Sequence, residues 1–154
     1  MKPITVTTTI DRPRAEVYAH LDVLANHEAF TDHFMVDWEL SGPPAGVGAA
    51  LRANVKALGQ KQPIALEVYE AKAPELIVER TVAAGGKRVT RGTYRLEEAG
   101  PDATKVSFEI AYEETPLGDK LAAPMIRSVL RKMNQRAMDR LTEQLSAGGP
   151  QPAG

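Results

Sequence analysis

The sequence predicts an α+β protein in which a curved, seven-stranded antiparallel sheet wraps around one long C-terminal helix. Three observations support this fold class. Apolar and polar residues alternate through most segments between residues 4 and 114, as in strands with one buried face. Gly-, Pro- and Asp-containing turns separate these segments, which favours consecutive hairpins. After Gly118 the apolar spacing becomes helical and continues to about Ser146.

The N-terminal part predicts one strand followed by two short helices. In ITVTTTI, residues 4–10, β-branched residues alternate between two faces, which is typical of a half-buried strand. Pro13 suits the first position of a helix, and Val17, Leu21 and Leu24 follow at helical spacing. A second short helix is expected from Asn26.

The chain from residue 34 to residue 114 predicts six further strands. Alternation is clear in FMVDWEL (34–40), ALRANVKAL (50–58), IALEVYE (64–70), KRVTRGTYRL (87–96) and KVSFEIAYEE (105–114). The segment ELIVERTV (75–82) is less regular. Each regular strand has one apolar face, and that face must be covered by another layer.

The last segment predicts a helix from about Asp119 to Ser146 that covers the sheet. Its apolar arc consists of Ala122, Ile126, Val129, Leu130, Met133, Ala137 and Leu141. Its opposite side is polar and consists of Arg127, Arg131, Gln135 and Asp139. A helix about 10–12 Å wide is narrower than seven strands, so part of the concave face should stay uncovered and form a cavity. The flexible side chain of methionine suits the wall of such a cavity.

Size and charge narrow the class of protein. The 154 residues suit one domain, predicted at 1–146, with a flexible tail at 147–154. With 19 basic and 20 acidic residues the net charge is −1, which argues against a nucleic-acid partner. The sequence lacks a signal-peptide core and any run long enough for a membrane span. We therefore expect a cytoplasmic protein, while nothing in the sequence indicates its oligomeric state.

The histidines and the Gly-rich segment do not predict a metal or cofactor site. His20, His27 and His33 have no companion Cys and no HExxH pattern, although a metal needs three or four converging ligands. In GVGAAL, Leu51 occupies the place of the third glycine of a dinucleotide motif, and the segment leads into a strand. No cofactor and no metal are therefore expected.

The order of elements resembles that of the SRPBCC superfamily, which includes START domains and proteins of the polyketide cyclase/dehydrase and lipid transport type. The similarity covers about residues 3–146 and rests on DRPRAEVYAHLDV, WELSGPPAGVGA, RGTYRLE, ATKVSFEI and the closing helix. It implies the helix-grip fold, with an apolar cavity between the sheet and the C-terminal helix. It implies no catalytic residue, because the superfamily shares none that could be matched here.

The inward strand positions and the helix predict the wall of this cavity. The predicted ligand-binding residues are Trp38, Val55, Arg80, Tyr94, Phe108, Tyr112, Met125, Val129 and Met133. The apolar members could instead be ordinary packed core. Tyr94 and Tyr112 are of interest because a buried hydroxyl usually has a hydrogen-bond partner, which in a cavity can be a ligand or water.

The segment LIVERTV leaves open which charge faces the cavity. The apolar parity of Leu76, Val78 and Val82 would carry Arg80 inward, and this orientation is favoured. A two-residue turn at Gly85-Gly86 would instead send Glu79 inward and place Arg80 opposite Arg91. An inward Arg80 would suit a ligand carboxylate or phenolate, whereas an inward Glu79 would suit proton transfer. An internal salt bridge or a solvated position is the alternative for either residue.

The basic segment GGKRVTRGTYR is interpreted as a solvated outer face of the sheet. Its charges, on Lys87, Arg88, Arg91 and Arg95, are balanced by acidic residues of neighbouring strands.

Three functional hypotheses follow. The first is binding or transport of a small hydrophobic molecule, lipid or polyketide-like, in the internal cavity. The second is a polyketide cyclase/dehydratase-type enzyme acting in the same cavity, with Arg80 or Glu79 and the tyrosines handling protons. The third is an interaction module that uses the outer sheet face or the terminal helix.

Overall fold

A computed structural model describes residues 1–146 and confirms the seven-stranded antiparallel sheet. The strands are β1 (Ile4–Ile10), β2 (Met35–Ser41), β3 (Ala50–Ala57), β4 (Gln60–Lys72), β5 (Leu76–Ala83), β6 (Arg88–Glu98) and β7 (Thr104–Glu114). Their order across the curved sheet is β1-β7-β6-β5-β4-β3-β2. Neighbours from β2 to β7 are thus consecutive hairpins, and β1 joins beside β7. The tail predicted at 147–154 lies outside the described residues.

Short helices connect β1 to β2, as predicted. They are α1 (Arg14–Asp22), a 3₁₀ turn (Leu24–His27) and α2 (Glu28–Thr31). Pro13 is the residue just before α1 rather than its first helical residue, and it has the extended conformation of an N-cap. Its fixed φ and missing amide hydrogen suit either place at a helix start.

The C-terminal helix is interrupted, and the prediction of one continuous helix from Asp119 is wrong in this respect. A short helix, α3 (Leu117–Leu121), ends at Ala122, and the long helix α4 (Ala123–Leu145) begins directly after it. Pro124 accounts for the break, because it has no amide hydrogen and its ring would clash with the preceding turn of a continuous helix. At the second position of a new helix the same residue is tolerated.

Strand β2 departs from the predicted alternation. The pairing of β2 with β3 is irregular between Val36 and Glu39, and Asp37 has a positive φ of 59°. This bulge shifts the inward parity, so Met35 is buried whereas Leu40 is 53% exposed. Trp38 still packs against the core.

Helix α4 lies along the open edge of β1, and its polar side contacts that strand. Arg127 donates to the carbonyl oxygen of Pro3 at 3.0 Å, Arg131 to that of Thr5 at 3.3 Å, and Gln135 to that of Thr7 at 3.0 Å. Four helical residues span about 6 Å and two strand residues about 6.8 Å. The spacing of the donors on α4 therefore nearly matches the spacing of the carbonyl acceptors on the strand. The polar side of α4 thereby satisfies backbone acceptors of an edge strand.

The C-terminal half of α4 closes a solid core. Leu141 and Leu145 are almost completely buried there, together with Ile10, Val17 and Leu21 from β1 and α1. The N-terminal half of α4 instead faces a hollow, which is described below. In the described part of the chain, no helix is long and apolar enough to cross a membrane.

Truncation of leucines in the two halves of α4 should separate core from cavity wall. Leu141→Ala should lower the free energy of unfolding by about 2–5 kcal/mol, because it leaves a void in a packed region. Leu130→Ala should cost clearly less, because Leu130 already borders empty space. Denaturant unfolding of both variants measures the difference, and equal losses would contradict the division of α4 into two halves.

Candidate functional site

A cavity of about 360 Å³ lies between the sheet and the N-terminal half of α4. Most of its wall is apolar, with Leu51, Leu66 and Ile110 on the sheet and Ile126 and Leu130 on the helix. The cavity opens at the β3–β4 hairpin, where Leu58, Gln60 and Gln62 line it and are also exposed to solvent. We call this region the open end.

Six of the nine predicted ligand-binding residues line this cavity. They are Trp38, Val55, Tyr94, Phe108, Tyr112 and Met133. The rings of Tyr94 and Phe108 lie 4.4 Å apart and form the deep end of the wall. Their contact with a ligand stays a prediction, but the structure brings all six to one space.

Arg80 does not face the cavity, so the favoured orientation of β5 is wrong. Strands β5 and β6 pair with Glu79 opposite Gly92 and Arg80 opposite Arg91, which is the register of the alternative interpretation. Arg80 lies on the outer face, where it approaches Glu113 at 3.6 Å and the hydroxyl of Tyr69 at 3.4 Å. These contacts offset the unfavourable pairing with Arg91.

Met125 and Val129 also lie outside the cavity wall. Met125 is 55% exposed, and Val129 is half-buried but does not line the cavity. Because α4 is docked through its polar side against β1, the row that faces the hollow contains Ile126, Leu130 and Met133. The three methionines of this segment thus differ, since Met133 and Met138 line the wall whereas Met125 is exposed.

Glu79 is the acidic group that the β5 register places inside. It is 6% exposed and lines the cavity, and its Oε2 atom has no hydrogen-bond partner among the described residues. The space for its side chain comes from Gly92 on β6. A Cβ atom at Gly92 would lie 2.9 Å from the ring of Phe108 and 3.1 Å from Cγ of Glu79. A larger residue there would therefore displace the ring or the carboxyl-bearing chain.

Burial controls the ionisation of the groups around Glu79. It raises the pKa of Glu79 to about 8, so the carboxyl group is mostly protonated at neutral pH. Burial, and secondly the Glu79 charge, raise the pKa of Tyr94 well above its ordinary value. The cavity therefore contains a neutral acid and a neutral phenol.

His27 is a neutral member of the wall. Its Nε2 donates to the carbonyl oxygen of Leu21 at 2.7 Å, and its ring packs edge-on against Tyr94. Burial lowers its pKa to about 4, although the bond to Leu21 acts in the opposite direction. His27 is thus closer to a functional site than the sequence suggested.

The other two histidines are structural. His33 bonds to the carbonyl oxygen of Met133 at 3.0 Å and accepts from Arg140 at 2.8 Å. Arg140 also pairs with Asp32 at 2.7 Å, so its side chain has two partners. His20 is buried, and burial lowers its pKa. Within residues 1–146 no three His, Asp or Glu side chains are grouped closely enough to hold a metal ion.

A polar cluster borders the open end, and the sequence analysis did not identify it. Arg88 makes a double ion pair with Asp119 of α3, at 2.6 and 2.8 Å, and donates to Gln62 at 2.8 Å. The buried hydroxyl of Tyr112 lies near this group and has no partner among the described residues. Arg88 shares the inward parity of Thr90, Gly92 and Tyr94 in the sequence. That parity could have shown that Arg88 does not belong to the outer face.

A family model described as "Polyketide cyclase / dehydrase and lipid transport" matches residues 1–146. Among curated proteins, none matches this chain.

Solved structures share the fold at low sequence identity. TTHA0849 from Thermus thermophilus is 18% identical, with a TM-score of 0.75 over 94% of this chain and 97% of that chain. Zhui aromatase/cyclase from Streptomyces sp. R1128 is 15% identical, with a TM-score of 0.71 over 97% and 99%. Major latex-like protein 151 from Panax ginseng is 12% identical, with a TM-score of 0.68 over 94% and 97%. These likenesses show the helix-grip architecture.

The buried carboxyl should make stability depend on pH in a defined direction. An unfolded chain ionises Glu79 near its ordinary pKa of 4.5, whereas the folded protein holds the proton to about pH 8. The folded state thus binds more protons in this window, and stability falls as pH rises through it. Glu79→Gln should remove this fall. The free energy of unfolding of the variant, measured relative to that of the wild type, should therefore rise by up to ~1.4 kcal/mol for each pH unit. Above about pH 8 the gain should level off.

Denaturant unfolding across this pH range measures the effect. Glu67→Gln, the same change at an exposed position of the outer face, is the matched control. Parallel pH profiles for the wild type and Glu79→Gln would show that the carboxyl group is not buried in the way described.

Proposed function

Because this chain belongs to the polyketide cyclase / dehydrase and lipid transport family, we propose that it binds a small hydrophobic molecule in the cavity between the sheet and α4. The observation that carries the proposal is the cavity itself, which holds about 360 Å³ behind a largely apolar wall. A space of this size matches the lower range of small-molecule sites. The same wall presents a few polar groups, which is the usual composition of a site that both holds and orients a ligand.

The open end supports access by a ligand from solvent. Exposed Leu58 and Gln60 line it, and the Arg88–Asp119 pair fastens α3 beside it. A molecule entering there would pass from a polar margin into an apolar interior. Its apolar part would leave water on binding, which contributes about 25 cal/mol for each Å² of apolar surface buried.

Filling the cavity should weaken binding of an apolar probe. Nile red, an uncharged environment-sensitive dye, should bind the wild type with enhanced fluorescence. Leu130→Phe should weaken this binding at least about tenfold, equivalent to ~1.4 kcal/mol, because the larger side chain occupies part of the cavity. Met125→Phe places the same ring on the exposed side of the helix and should leave binding unchanged. Equal binding by both variants would contradict a ligand site in this cavity.

Glu79 supports a second candidate function, acid–base catalysis on the bound molecule. A carboxyl group with a pKa near 8 can take or give a proton close to neutral pH, as general acids and bases require. The family description names cyclases and dehydrases, and one structural neighbour is called an aromatase/cyclase. In such an enzyme the ionised form of Glu79 would remove a proton from a carbon next to a ketone, and the carboxyl group so formed would return that proton to another atom.

Hydrogen exchange into a bound ketone would test this candidate without knowledge of the substrate. In D₂O the wild type should accelerate deuterium incorporation at the carbons flanking the carbonyl of 2-tetralone, followed by NMR. Glu79→Gln should reduce the enzyme-dependent rate at least about 100-fold, since an amide cannot shuttle the proton. The Leu130→Phe variant should lower the rate by excluding the ketone while leaving the carboxyl in place. An unchanged rate in Glu79→Gln would exclude Glu79 as the acid–base group.

A further inference from the structure

We propose that the carboxyl group of Glu79 selects the ligand, by hydrogen bonding to an uncharged oxygen of an otherwise apolar molecule and by excluding molecules with a carboxylate at that depth. This inference rests on the proposed binding function and specifies the chemical class of the ligand. An inward Arg80 would have implied an anionic ligand, whereas an inward Glu79 implies an uncharged one.

The first step is the lack of a hydrogen-bond partner for Oε2 of Glu79 on the sheet wall. Its neighbours across the strands are Val68 on β4 and Gly92 on β6, and the next position is Ile110 on β7. None of these side chains offers a hydrogen bond. The unpartnered Oε2 of Glu79 therefore lies in an apolar row of the cavity, and a ligand that occupies this row can supply the missing partner.

The second step is the absence of a free cation in the described cavity wall. Its basic residues are His27 and Arg88. The Nε2 of His27 is directed at the Leu21 carbonyl, and burial keeps its pKa low, so the ring is neutral. Arg88 lies four residues from Gly92 along β6, about 13 Å away, and both carboxylate oxygens of Asp119 engage it. A ligand carboxylate beside Glu79 would therefore lose its hydration without gaining a counter-charge.

The third step is the chemistry of a protonated carboxyl. It donates through its O–H and accepts through its carbonyl oxygen, so it can pair with a ketone, an aldehyde or a hydroxyl group. Thr81 and Thr90, paired on the adjacent row towards the open end, add two hydroxyl groups on the same wall. The helix wall opposite contributes mainly aliphatic side chains, such as Leu130 and Met133. The ligand that fits has oxygen functions along one edge and a hydrocarbon surface on the other.

A three-compound series tests the selection. Naphthalene, 2-naphthol and 2-naphthoate share one ring system and differ in carrying no oxygen, an uncharged hydroxyl or a carboxylate. At neutral pH, 2-naphthol should displace Nile red from the wild type at a concentration at least about tenfold lower than 2-naphthoate does. In Glu79→Leu the preference for 2-naphthol over naphthalene should fall by roughly five- to tenfold, because the hydrogen-bonding group is gone.

Two further variants keep the test specific. Glu79→Gln should retain the preference for 2-naphthol, since an amide also donates and accepts. Glu67→Leu makes the same chemical change as Glu79→Leu on the exposed outer face and should leave all three affinities as in the wild type. Displacement by 2-naphthoate as readily as by 2-naphthol, or an unchanged preference in Glu79→Leu, would overturn the inference while leaving the binding function intact. If the wild type itself does not bind Nile red, the proposed binding function would be overturned instead.

Discussion

The placement of a single helix along the edge of the sheet is the constraint on which the rest of this structure depends. Helix α4 is the long amphipathic helix that covers the seven-stranded sheet, and its polar side contacts the edge strand β1. Arg131 and Gln135 donate to the carbonyl groups of Thr5 and Thr7 on β1, and Arg127 donates to that of Pro3, just before the strand. This ladder works because four residues of a helix and two residues of a strand span nearly the same distance. It fixes both the rotation of α4 and the distance of its apolar row from the far strands.

The division into core and cavity follows from that placement. Towards its C-terminus, α4 meets α1, α2 and the β1 end of the sheet, and side chains such as Leu141 and Leu21 fill the space between them. Towards its N-terminus, among the described residues only the short helix α3 adjoins it, and the cavity separates it from the curved strands β3 to β6. The chain has only eight aromatic residues (three Phe, one Trp and four Tyr), so side-chain bulk does not close the gap. A hollow and a tightly packed core thus share one helix.

The chemistry of the hollow is decided by one strand register. In a strand, a shift of one residue exchanges the two faces, so either Glu79 or Arg80 could face inward, but not both. Gly92 resolves this in favour of Glu79, because the missing side chain leaves room for the carboxyl-bearing chain and for the ring of Phe108. The outward Arg80 finds Glu113 and Tyr69 on the solvent side. Burial consequently favours the uncharged forms of Glu79, Tyr94 and His27 in the interior, whereas the ion pair of Arg88 and Asp119 lies at the open end.

The sequence by itself determined the architecture, because strand and helix periods, turn residues and one amphipathic segment are local properties that report which face is buried. It also placed Trp38, Val55, Tyr94, Phe108, Tyr112 and Met133 on inward positions of the correct elements.

The tertiary structure decided the remainder. The register of β5 depends on its pairing with β6 and on the space at Gly92, so the prediction that Arg80 faces inward, made from the apolar parity of Leu76 and Val78, was wrong. The exclusion of Met125 and Val129 depends on how α4 is rotated by its contacts with β1. The pairing of Arg88 with Asp119 joins residues far apart in sequence. Such outcomes arise from contacts between elements, and the pattern within one element cannot encode them.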